Sequence, residues 1–104
     1  MTDLEISKAL ALAIGWEETE VKVSPYTGAL LVFWNVDSCS VWQRFDYRDW
    51  NVIGPIAQRH DAWPKQVAPT LWSVRIASPR GALNLHADTP QKAIALAVIQ
   101  GAKK

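Results

Sequence analysis

Hydrophobic positions fall into blocks with distinct periods along the chain. Ile6, Ala9, Leu10, Ala13 and Ile14 recur at i, i+3, i+4, i+7 and i+8, the spacing of one helix face. Thr2 and Glu5 stand at capping-box spacing before that stripe, and Gly15 after it is a natural stop. Ser7, Lys8 and Ala11 fall toward the edge of the stripe or outside it. Residues 18–23 then predict a strand, with Val21 and Val23 on one side and Glu20 and Lys22 on the other. Ser24-Pro25-Tyr26-Thr27-Gly28 is turn chemistry. Residues 29–36 form a second strand, apolar on both faces through Leu30, Leu31, Val32, Phe33 and Trp34. A strand of that kind belongs in the middle of a sheet covered on both sides.

The second half repeats the alternation between periods. Residues 35–40 read as a polar loop and 41–45 as a short extended segment. A second helix is expected from Asp46, with Asp49 also suited to its N-terminus and Trp50, Ile53, Ala57 and His60 on one side. Gly54-Pro55 predicts a kink there or two short pieces. Residues 61–69, with Pro64 and Pro69 as breakers, read as a loop. A hairpin follows. Trp72, Val74 and Ile76 share a face with Leu83, Leu85 and Ala87; Ser73, Arg75, Asn84 and His86 face away. Ser78-Pro79-Arg80-Gly81 is a type I turn candidate. The last helix is capped by Thr89 with Pro90 at its first position, is apolar around most of its circumference, and is expected to stop at Gly101 before a solvated Lys103-Lys104 tail.

These elements predict a single α+β domain over residues 1–104. Its expected architecture is one antiparallel sheet of about four strands, with three helices covering both faces as an α-β-α sandwich.

Composition removes several function classes. Eleven basic residues against ten acidic leave a net charge of +1, so no general attraction to nucleic acid or anionic membrane operates. The lone Cys39 forms no internal disulfide, fits a reducing cytoplasm, and has no adjacent base to make it a nucleophile. The N-terminus lacks the basic region of a signal peptide, and residues 93–99 are too short to span a bilayer. His60, His86 and Cys39 lie far apart without metal-ligand spacing, and no nucleophile elbow or phosphate loop is present. No catalytic, metal or cofactor residues are therefore assigned.

What stands out is six tryptophans in 104 residues. Trp34, Trp50 and Trp72 sit in apolar periodic runs and are expected in the core, and Trp16 is expected as a lid past a helix end. Trp42 and Trp63 stand beside polar and charged neighbours. With Arg44 and Arg48 they form the candidate partner surface, because Trp is enriched where proteins bind. The run Trp42-Gln43-Arg44-Phe45-Asp46-Tyr47-Arg48 also mixes aromatics with cations, as a single-stranded nucleic-acid binder does.

Three segments resemble small tailed-phage and prophage proteins of the NinX type. They are Leu4-Glu5-Ile6-Ser7-Lys8-Ala9-Leu10-Ala11 with Ile14-Gly15, the central Asp46-Tyr47-Arg48-Asp49-Trp50-Asn51-Val52-Ile53-Gly54-Pro55-Ile56, and Thr89-Pro90-Gln91-Lys92-Ala93-Ile94-Ala95-Leu96. The layout also resembles the phage α-β-α sandwich domain. The resemblance implies a phage or prophage accessory protein in the bacterial host cytoplasm, and it brings no established catalytic residues. With the tryptophan surplus, the expected role is non-enzymatic binding of a host or phage protein, as a monomer or homodimer. Weak binding of single-stranded nucleic acid is the alternative.

Overall fold

The computed structural model describes residues 2–36, 39–78 and 81–102. Helix α1 (Asp3–Ala13) starts at the expected cap. Thr2 Oγ1 accepts the Glu5 N–H at 3.2 Å, and the Thr2 N–H donates to Glu5 Oε1 at 3.4 Å. Ile6 and Leu10 are buried and Lys8 is exposed. Ser7 and Ala11, expected at the edge or outside, are also buried, because α1 is packed on two sides rather than one. Gly15 follows at φ 123°, a conformation cheap only for glycine.

The strand expected over 18–23 is shorter. Glu18–Glu20 closes a single 3-10 turn, tied by the Glu17 N–H donating to Glu20 Oε1 at 3.0 Å, and β1 is Val21–Val23. Strand β2 (Leu30–Val36) pairs antiparallel with β1 on one side and with β3 (Cys39–Arg44) on the other. The loop expected over 35–40 is therefore mostly ladder: Asn35 pairs Ser40 and Val36 pairs Cys39.

Helix α2 (Trp50–His60) begins later than Asp46, since Asp49 supplies the cap by accepting the Asn51 N–H at 2.9 Å. Pro55 does not divide the segment into two pieces; it is one helix. The bond Pro55 cannot make is to the carbonyl of Asn51, an exposed residue in the first turn where water can substitute. The core stripe is Ile53, Ile56 and Ala57. Trp50, expected in the core, is 49% exposed at the helix start.

The segment expected as a loop over 61–69 contains strand β4 (Pro64–Ala68), which pairs β5 (Leu71–Ser78) across a bulge. Pro64 is tolerated because it is the first residue of an edge strand. Strand β6 (Gly81–Ala87) pairs β5 on its other side. Helix α3 (Pro90–Ala102) runs through Gly101 rather than stopping there. The Trp34 side chain, the tip of the 35–40 loop, the Pro79-Arg80 part of the hairpin turn and the Lys103-Lys104 tail lie outside the described residues.

The sheet is not single. β1-β2-β3 and β4-β5-β6 are two separate three-stranded antiparallel sheets, in place of one sheet of about four strands. Helix α1 packs on β2, α3 packs on β4, β5 and β6, and α1 and α2 both pack on α3. Helices thus lie between the sheets rather than on both faces of one. Ala93, Ile94, Ala95, Ala97, Val98 and Ile99 of α3 are all buried, most of the circumference as expected, while Lys92, Leu96 and Gln100 mark the side left less covered. The hairpin faces are as expected: Val74 and Ile76 are buried, Trp72, Leu83, Leu85 and Ala87 pack on the core, and Arg75, Asn84 and His86 are exposed.

Candidate partner-binding edge and sheet face

Strand β2 is central in its sheet, but its two apolar faces are covered by different means. Leu30 and Val32 are buried beneath α1. Leu31 and Phe33 point to the opposite face, where the cover comes from neighbouring strands. Phe33 is paired with Trp42, edge to face, with ring centroids 5.4 Å apart. Lys22 on β1 sets its Nζ 4.1 Å from the centre of the Trp42 ring. Leu31 lies in one cross-strand row with Lys22 and Arg44. The outer face of this sheet is thus an aromatic centre flanked by cations, and Trp42 remains 38% exposed.

The edge beside this face is open. The Phe45 N–H donates to the Leu30 carbonyl at 2.9 Å, so the backbone groups of Phe45 point to β2. Polar groups alternate sides along an antiparallel strand. Val41 and Gln43 therefore also turn inward, while Ser40, Trp42 and Arg44 turn their N–H and C=O to the free edge. Every residue of β3 is exposed, and β3 is the outermost strand of its sheet. Past the end of β1, the Phe33 carbonyl accepts the Trp16 indole N–H at 3.1 Å, and the Trp16 ring stands edge-on to Phe45 at 5.6 Å. Trp16 is thus the lid expected of it.

Arg48 lies beyond β3 in the turn before α2, and it is committed. Its guanidinium donates to Asp46 at 2.9 and 3.0 Å and to Asp3 at 3.2 Å. The Tyr47 hydroxyl donates to Asp3, and the Tyr47 N–H to buried Ser7 Oγ at 3.1 Å. The hydrogen bond from Arg48 holds the Asp46 carboxyl below its ordinary range, against a smaller opposing effect of burial. Burial first, and then the Asp3 carboxylate, push the Tyr47 phenol above its ordinary value. This cluster fastens α1 to the turn; it is not poised for proton transfer near neutral pH.

Of the four residues expected on a partner surface, the structure brings Trp42 and Arg44 together on one face. Arg48 sits in the clamp, and Trp63, 55% exposed, precedes β4 of the other sheet. Phe33 and Lys22 complete the face and were not foreseen; their signal lies in cross-strand register, which no local pattern reports. Cys39 is exposed on β3 rather than packed as a small apolar residue. Among the described residues no three His, Cys, Asp or Glu side chains gather as metal ligands. No helix among them is long and apolar enough to cross a membrane. Compared with protein-family models, curated proteins and solved structures, the chain matches none.

Proposed function

We propose that the chain acts without catalysis, by binding a protein whose extended segment adds to the free edge of β3. The observation that carries this reading is the run of outward backbone groups at Ser40, Trp42 and Arg44, set beside an exposed aromatic face. Strand addition takes its affinity from main-chain hydrogen bonds and its specificity from alternate side chains. The fitting segment has an apolar residue opposite Trp42 and carboxylates near Lys22 and Arg44. β4, by contrast, carries Pro64, Lys65 and a bulge, devices that blunt an edge. The setting implied by the NinX resemblance is that of a phage or prophage accessory protein, with a host or phage protein as partner in the bacterial cytoplasm.

The nucleic-acid reading is weaker on this geometry. Lys22 already occupies a face of Trp42, where a base would stack, and Asp46 lies 3.6 Å from Arg44.

Ser40→Pro tests the proposal. It removes an outward N–H that the β2–β3 ladder does not use. A protein captured from bacterial lysate by the wild type, lost with S40P and Trp42→Ala, and kept with Lys65→Ala, supports edge binding. Capture of the same protein by S40P, with its circular dichroism unchanged, overturns it. Salt-sensitive oligonucleotide binding would favour the alternative. Concentration-dependent sedimentation abolished by S40P would mean that the added strand comes from a second copy.

A further inference from the structure

A cavity of about 440 Å³ opens on the other side of this sheet, between the end of α1, the end of β3 and one face of α2. That volume falls in the range of small-molecule sites. Its apolar wall is built from Trp16, Phe45, Val52 and Ile56. On the helical side its titratable lining is Arg59 and His60, with no carboxylate among the lining residues; Arg44 borders the cavity at the end of β3, where strand alternation turns its side chain to the outer face with Trp42. Val52, Ile56 and Arg59 recur at helical spacing, so one stripe of α2 carries both the wall and the charge. Arg44 has Asp46 at 3.6 Å, whereas Arg59 has no carboxylate within ion-pair distance among the described residues. Both helices bring C-terminal ends here, which would favour a cation, but late carbonyls of each are already taken. Trp16 N–H donates to the Ala11 carbonyl at 3.1 Å, and Ala62 N–H to the Ala57 carbonyl at 2.9 Å. Burial, and then the Arg59 charge, lower the His60 pKa, so His60 is a neutral hydrogen-bonding group at neutral pH and Arg59 the principal cation.

We infer that this cavity binds a small organic anion with a flat apolar body, its carboxylate or phosphate held by Arg59 and its body against Trp16 and Phe45. This is charge complementarity in a half-enclosed apolar site, where one charge-assisted hydrogen bond changes affinity about tenfold. The cavity borders β3 at Gln43 and Arg44, but Arg59 belongs to α2, so R59Q and S40P test the two sites separately and either can fail alone.

The test is a titration with naphthoate and with naphthalenemethanol, its neutral counterpart of similar shape, read by amide and indole NMR shifts. Naphthoate is expected to bind about tenfold more tightly, shifting Gln43, Val52, Arg59 and the Trp16 indole. Arg59→Gln should abolish that preference and leave naphthalenemethanol unchanged; Lys65→Gln, the same charge change on the other sheet, should alter neither. Equal binding of the two probes, a preference that survives R59Q, shifts confined to the Trp42 face, or no binding of either probe would each overturn the inference.

Discussion

Ser7 offers the sharpest test of how the fold is held together. It is 3% exposed, and its hydroxyl accepts the backbone N–H of Tyr47, itself 2% exposed, at 3.1 Å across 40 residues of sequence. Ser7→Ala removes the acceptor and leaves that N–H buried. The site is too tight for the chain to move away cheaply, since Tyr47 is also fixed by its hydroxyl on Asp3 and the next residue by the Arg48 clamp. An orphaned buried donor costs about 1–3 kcal/mol, so S7A should lose about 2 kcal/mol. For a domain near 100 residues each kcal/mol is worth about 4–8 °C, so the melting midpoint should fall by about 8–16 °C. The assay is urea and thermal unfolding followed by circular dichroism. Lys8→Ala, on the exposed neighbour, should stay within about 0.5 kcal/mol. Tyr47→Phe should cost about 1 kcal/mol alone and less in the S7A background, because both bonds fix one residue. An S7A protein no less stable than K8A would refute the reasoning, and would mean that water reaches the Tyr47 amide.

Two further outcomes follow from the same geometry. The Asp46 pKa is depressed by the Arg48 hydrogen bond, so its stabilisation is complete above about pH 4 and is lost as pH falls through its folded value. His60 is depressed by burial, so below about pH 6.5 the unfolded chain takes up a proton first, and stability again falls with acid. Urea midpoints from pH 8 to pH 3 should therefore decline in one direction, with Asp46→Asn flattening the lower part; a stability maximum near pH 4 would contradict both assignments. Ile94→Ala, at a fully buried position of α3, should cost about 2–5 kcal/mol in the same denaturation assay.

The starts of α1 and α3 are legible because their signals are local. Thr2 with Glu5, Thr89 with Pro90, and the Ile6–Leu10 spacing specify ends and faces within one or two turns. So are the hairpin faces, where strict alternation from Trp72 to Ile76 fixes which side is dry. The doubly apolar run at 29–34 carries no such unambiguous signal. Two covered faces predict two helical layers, yet Phe33 packs against Trp42 and Leu31 lies in register between Lys22 and Arg44 on the flanking strands. An aromatic cross-strand pair can shade a face as a helix does, and no local period separates the two. β4 was hidden by Pro64 and Pro69, since a proline at the start of an edge strand looks like a loop until its neighbour is known.

The placement of the helices decides which sheet faces are wet. A sheet sandwiched by helices would have had no wet aromatic face. With α3 in the middle, each sheet turns one face outward. The outward face of β4-β5-β6 carries Lys65, Ser73, Arg75, Asn84 and His86, with Leu71 as an exposed apolar residue at the start of β5. The outward face of β1-β2-β3 carries Leu31, Phe33 and Trp42 under a lysine, ending on an edge with free backbone groups. The two three-stranded sheets thus differ in that the first sets an aromatic pair and a cation on its outward face. Folding needs no exposed tryptophan on the first of them, and a protein adding its own strand to β3 would bury that aromatic surface while pairing Ser40, Trp42 and Arg44.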